Sequence, residues 1–296
     1  MVKCVLCGEN NKKLSKEHVV PRWLQKYFNL NDQRLRLSNN TSIKYNQAVV
    51  PACHRCNSEV FSSLEKRIRE NTAELMDYYL WALKISYALS YKDTTLPIDR
   101  SDRSKGTLIP KSFIDQDADV VYKLFSSLSA ENFMASPNPF GSVFILNKTV
   151  DKVDGFFMVH VPAPYRALAI TLPDRIAFVL FGDRGVVQQL IPISEIVRIF
   201  DKFNDIRLVL FHILRTQNYL TIPSGCFVRE NAIVSEPLPS KFPLRKQKQA
   251  WYEEMANYCG LPIEFGSTCF ANDKKRHLPK FFQLPTSRSS GRNNVR

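Results

Sequence analysis

Residues 73–89 read Ala-Glu-Leu-Met-Asp-Tyr-Tyr-Leu-Trp-Ala-Leu-Lys-Ile-Ser-Tyr-Ala-Leu. Apolar residues dominate and glycine and proline are absent, so the stretch 72–92 predicts a helix buried over most of its circumference, capped by Asn71 or Thr72. Upstream, 21–28 has the spacing of a short helix with Trp23, Leu24 and Phe28 on the core side, opened by Pro21. The polar run 91–111 reads as a connection, and 118–128 as a helix. Beyond it the texture changes to short apolar runs at 142–146, 156–161, 167–172 and 175–181, separated by turn signals such as Asp154-Gly155 and Gly182-Asp183-Arg184-Gly185. This pattern predicts an antiparallel sheet of four or five strands, closing with 186–191. Helical spacing returns over 194–217, 221–243 is Pro-rich and irregular, and 244–258 adds a helix carrying Trp251, Tyr252 and Met255. The basic end, 273–296, reads as disordered.

The predicted class is therefore α+β, in three parts: 1–71, a mixed helix and antiparallel-sheet region over 72–272, and the tail 273–296. With 296 residues the chain can bury a sizeable core. Forty-one Lys and Arg against 28 Asp and Glu give a formal charge of +13, which suits a polyanion such as nucleic acid or an anionic membrane surface, although solubility alone also explains it. No stretch approaches the ~18 apolar residues of a membrane span. Met1-Val2-Lys3-Cys4 lacks the apolar core of a signal peptide, so a cytoplasmic protein without a membrane partner is expected. Seven cysteines are too sparse for a disulfide scaffold, and a reducing compartment leaves them available to a metal.

Four of them form two CxxC pairs, Cys4-Val5-Leu6-Cys7-Gly8 and Cys53-His54-Arg55-Cys56. Each pair sets two thiolates on one tight turn, and together they predict a tetrahedral structural Zn2+ site, with His54 as a bystander. Between the pairs lies Leu14-Ser15-Lys16-Glu17-His18-Val19-Val20-Pro21, and Asn57 follows the second. An acidic residue and His before two β-branched residues and Pro, and a later knuckle followed by Asn, resemble the two halves of the HNH, or ββα-metal, endonuclease signature. The Pro21-Arg22-Trp23-Leu24 run is similar to that of bacterial and phage-borne HNH proteins with an EH-type signature.

That resemblance covers about the first 70 residues and implies a zinc-stapled ββα-metal module over 1–71 that hydrolyses DNA phosphodiester bonds. It implies His18 as the general base and Glu17 as a ligand of a catalytic Mg2+ or Mn2+, since hard oxygen donors suit hard cations. Asn57 would orient His18 or ligate that metal. The family's third position falls on Glu65 followed by Lys66, neither a His, so Glu65 is the expected third ligand and Glu59 its competitor. Arg22, Lys26, Arg34, Arg36, Lys44 and Arg55 are candidate phosphate contacts, although any one alone is more often an ordinary solvated charge and only clustering in space would promote it. The partner implied is double-stranded DNA, in restriction, anti-phage defence or a mobile element, with a homodimer or protein partner through 72–272. A noncatalytic zinc module that binds nucleic acid or assembles a complex is the competing reading. So is a regulatory protein whose later region is the functional part.

Beyond residue 72 no catalytic motif stands out. His160 and His212 read as satisfied core residues and His277 as part of the tail, while Cys226, Cys259 and Cys269 lack knuckle spacing.

Overall fold

The strand Leu14–His18 (β1) finds its partner across an excursion of the chain. The excursion holds a short helix, Arg22–Tyr27 (α1), and a small hairpin of Arg34–Arg36 (β2) and Ser42–Lys44 (β3). Val49–Cys53 (β4) then returns antiparallel to β1, with Leu14 opposite Cys53 and His18 opposite Val49. The computed structural model describes residues 2–10, 13–126, 141–148, 155–161, 166–220, 224–229, 232–237 and 249–275.

After β4 the chain enters one helical run, a π-turn over Arg55–Val60 continued by Phe61–Glu70 (α2), and then the long helix Leu75–Asp93 (α3). α1 forms where its spacing places it, with Leu24 buried and Trp23 and Phe28 partly so. α3 is also where expected, but its cap is not Asn71 or Thr72. Asn71 ends α2 in the left-handed conformation (φ 58°), and Glu74 caps α3 in a reciprocal pair with Asp77. The helix Lys111–Ser126 (α4) starts earlier than its apolar period suggested.

Four strands follow: Val143–Asn147 (β5), Met158–Val161 (β6), Ala167–Thr171 (β7) and Arg175–Leu180 (β8). They form one antiparallel sheet in the order β5-β8-β7-β6. β7 and β8 are buried at every position because both faces of the sheet are covered. Leu168, Ile170, Ala177 and Val179 belong to the core shared with β4, α2, α3 and α4. Ala169, Ile176, Phe178 and Leu180 belong to a second core under the later helices. The first core runs from Cys4 to Phe181, so the side chains on either side of residue 71 share one apolar interior.

The later elements depart from the sequence pattern in four places. Residues 186–191 do not close the sheet: Val186–Leu190 is a short helix (α5), because the Asp183 carboxylate accepts the Val187 amide at 3.0 Å and the Asp183 carbonyl accepts that of Val186 at 3.1 Å. That local cap overrides the strand propensity of paired valines. The stretch 194–217 is two helices, Ile193–Phe203 (α6) and Ile206–Leu220 (α7), broken where Asn204 turns left-handed (φ 48°) and Asp205 accepts the Arg207 amide. The run 221–243 is not wholly irregular, since Ser224–Arg229 (β9) and Ala232–Pro237 (β10) form a hairpin. The fourth is an unforeseen helix, Ile263–Lys275 (α9), which packs on Gln249–Tyr258 (α8). Residues 244–248 of the expected helix, the tail from 276 and His277 lie outside the described residues.

Both core histidines have partners. His160 Nε2 lies 2.9 Å from Ser86 Oγ, and His212 Nε2 lies 3.1 Å from Glu195. Cys259 and Cys269 are buried. Among the described residues no helix is long and apolar enough to cross a membrane.

One buried cation ties the sheet to the first helices. Arg175 on β8 donates through Nε to the Tyr78 hydroxyl on α3 and through Nη2 to the Ile68 carbonyl near the end of α2, and it pairs through Nη1 with Asp174. A cation suits the carbonyl end of a helix. Arg175→Ala removes the packed stem, takes the guanidinium donor from the Tyr78 hydroxyl and leaves the Ile68 carbonyl only the long contact from the Asn71 amide at 3.3 Å. Urea unfolding should show a loss of about 3 kcal/mol, and a change under about 1 kcal/mol would mean the contacts contribute nothing net.

Candidate functional site

The two cysteine turns meet because β4 delivers the second beside the first. The Val5 amide donates to the Pro51 carbonyl at 2.9 Å, fixing the N-terminal turn against β4. The Cys53 amide donates to Cys4 Sγ at 3.2 Å, and Cys7 Sγ and Cys53 Sγ are 3.8 Å apart. The ligand atoms of Cys4, Cys7, Cys53 and Cys56 all lie within 4.8 Å of one another, so the four can hold a metal ion such as zinc.

Packed this closely, the thiols perturb one another. A hydrogen bond from Cys56, helped by the amides of Cys53, Leu6 and Cys7, brings Cys4 down to about 5 against the opposing effect of burial. Burial pushes Cys7 up to about 12, and the contact with Cys4 pushes Cys56 up. As thiols alone, the group favours one thiolate; a divalent cation at its centre stabilises all four. Gly8 closes the first turn at φ +74°, and a Cβ there would stand 2.5 Å from the Tyr122 ring of α4, so glycine is required on two counts.

Toward the other end of the β1–β4 ladder lie Glu17 and His18, while Asn57 stays near the cysteine end. Alternate residues of a strand share a face, which sets Ser15 and Glu17 together. Asn57, in the π-turn, donates to Ser15 Oγ at 2.9 Å, and Ser15 donates to the Ala52 carbonyl. Asn57 is thus held by β1, and its hydrogen bond goes to Ser15 rather than to His18.

Glu17 is buried and ion-paired with Lys84 of α3, and Lys84 Nζ also lies 2.6 Å from Glu65 Oε1 of α2. The fold therefore brings Glu17 and Glu65 to one point. The competing Glu59 is elsewhere, exposed and 3.5 Å from His54. Burial pulls Glu17 upward against the opposing charge of Lys84. Burial also works against the Lys84 charge, but Glu65 and Glu17 outweigh it and hold the ammonium above the ordinary lysine range.

His18, half-buried at the end of β1, is pushed below the usual imidazole value by burial, then by Arg22 and Lys84, while Glu65 opposes them. It is accordingly neutral near pH 7 and able to accept a proton.

Among the described residues the cysteine cluster is the one group of three or more His, Cys, Asp or Glu side chains whose ligand atoms converge. Glu17 and Glu65 are two hard oxygen donors that meet at Lys84, not a closed cage. Two carboxylates are the kind of donor set a hard divalent cation takes with water completing its shell.

Of the candidate phosphate contacts, Arg22 and Lys26 lie one turn apart on α1 and are exposed. Arg34 and Arg36 are exposed on β2, bonded to Ser42 and Asn40, and Lys44 pairs with Asp32 at 3.2 Å. Arg55 is exposed in the π-turn.

Lys84 is the residue that motif reading missed. Its signal was present: a charged side chain inside Trp81-Ala82-Leu83-Lys84-Ile85, where a helix buried all round would otherwise have to desolvate an unpaired ammonium.

No family model, curated protein or solved structure matches this chain. The functional reading therefore rests on the residues themselves.

Proposed function

We propose that the N-terminal region is a metal-dependent endonuclease site of the HNH type, acting on double-stranded DNA. The observation that carries this reading is the convergence of Glu17 and Glu65 on Lys84, within electrostatic reach of His18, where a two-stranded ladder passes into a helix next to four clustered cysteines. Glu17 and Glu65 would hold Mg2+ or Mn2+, which when bound supplies positive charge to the scissile phosphate and the departing oxygen. His18 takes the proton from the attacking water at its free ring nitrogen. Asn57, tied to Ser15, keeps the first helical turn against β1 and so sets the spacing between α2 and Glu17. Arg22, whose charge reaches both Glu17 and His18, would hold a phosphate next to the base. Bacterial or phage DNA in restriction, defence or mobile-element biology would be the setting, with residues beyond 72 supplying a partner or dimer contact.

One observation favours the noncatalytic alternative: Lys84 already supplies a cation to both carboxylates. Supercoiled plasmid incubated with zinc-loaded protein in Mg2+, Mn2+ or EDTA separates the two. Nicking that needs added Mg2+ or Mn2+ is the expected result. Intact plasmid in every metal, with DNA binding retained, would leave the nucleic-acid-binding module as the better account.

A further inference from the structure

Lys84 comes from outside the stretch that carries the nuclease resemblance, yet it reaches the centre of the proposed site. Its side chain is 2% exposed, deeper than Glu17 at 10% and Glu65 at 20%. It approaches both carboxylates through their Oε1 atoms and stands 5.2 Å from the centre of the Phe61 ring. The ammonium therefore lies on the dry side of the acid pair, between it and the core, and the carboxylates are on the wetter side. Two carboxylates held so close repel each other, and a cation shared between them makes the approach favourable.

Three elements are fixed by this one contact, β1 through Glu17, α2 through Glu65 and α3 through Lys84. Breaking a buried pair of this kind leaves a charge stranded, so the geometry is held strongly once formed.

Resting on the nuclease reading above, we propose that Lys84 is a positioning residue of the Glu17/Glu65 site. Its buried ammonium draws the two carboxylates together from the core side and presents them as a preformed pair to a divalent cation arriving from solvent. Lys84 itself touches neither metal nor substrate. Its role is that of a supporting residue, which orients ligands that would otherwise turn apart.

The test uses full-length, zinc-loaded protein titrated with Mn2+ alone, with bound metal read from the loss of the free-ion EPR signal. Lys84→Met keeps the length of the stem and removes the charge. Its Mn2+ affinity should fall roughly tenfold or more, the usual range for losing a supporting residue, while zinc content and far-UV circular dichroism stay at the parent's values. Parent-like or tighter Mn2+ binding by Lys84→Met overturns the proposal, because Lys84 is then an indifferent or competing cation.

Should Lys84→Met fail to fold, a crystal structure of the parent with Mn2+ decides. Nζ still bridging the two Oε1 atoms upholds the positioning role, and Nζ withdrawn with the metal in its place overturns it. A parent that nicks plasmid while Lys84→Met binds Mn2+ unchanged sinks this proposal alone. A parent that neither binds Mn2+ nor nicks sinks the nuclease reading with it.

Discussion

Cys53→Ser is expected to release the bound zinc and, with it, much of the folded first core. Cys53 ends β4, its amide donates to Cys4 Sγ, and both residues are fully buried in the same apolar cluster as Leu64, Trp81 and Val179. The knuckle is therefore built into the core, so its loss propagates to α3 and the sheet. In small zinc modules the metal contributes on the order of 10 kcal/mol, comparable to the whole stability of a domain. Even half of that should lower the melting midpoint by about 10 °C or more, at roughly 2–4 °C per kcal/mol. Metal content by a chromogenic chelator and thermal unfolding by circular dichroism test both parts. Protein purified without zinc, or a variant melting with the parent, would show that the four thiols close the fold unaided.

The second large effect is on chemistry. His18→Ala removes the proposed proton acceptor and should reduce plasmid nicking by about 100- to 10,000-fold, with zinc content and DNA binding unchanged. The pH dependence supplies a sharper check. His18 works in its neutral form, and burial together with Arg22 and Lys84 lowers its proton affinity. The neutral form is then complete before neutrality, and kcat/KM should fall only as pH drops through a midpoint below 6.5. Removing a positive neighbour has the opposite sign, so Arg22→Gln should move that limb toward higher pH. Full nicking by His18→Ala, or an acid limb above 6.5 that ignores Arg22, would remove His18 from the role of base.

Several features were legible in the residue order because local physics specifies them. α3 follows from an apolar run too dense for any exposed element, and the four sheet strands from short runs divided by turn residues. The cysteine cluster follows from paired CxxC turns, since two thiols on one turn have little use apart from a metal. Two of the four departures came where a single polar side chain outvoted the apolar pattern. Asp183 turned Val186 and Val187 into a helix, and Asn204 split one helical period into α6 and α7.

The site divides along the same line. Glu17, His18 and Asn57 can be named because Glu17-His18 and the Asn after the second CxxC turn resemble the HNH signature; the fold sets the first two at the end of β1 and Asn57 in the π-turn after β4. The family's third position falls on Glu65, with Glu59 as its competitor, and the packing of α2 on α3 sends Glu65 inward to Lys84 while Glu59 meets His54 in solvent. Lys84 was still further from sequence reading, because a lysine in an apolar run becomes meaningful only when its partners are known. By itself the chain determined α1, α3, the four strands of the main sheet and two CxxC turns whose thiols could hold a metal, features set largely by interactions between near neighbours. Tertiary structure alone decided that a buried ammonium from α3 would meet carboxylates from β1 and α2, because the cost of burying charge is relieved only where distant elements converge.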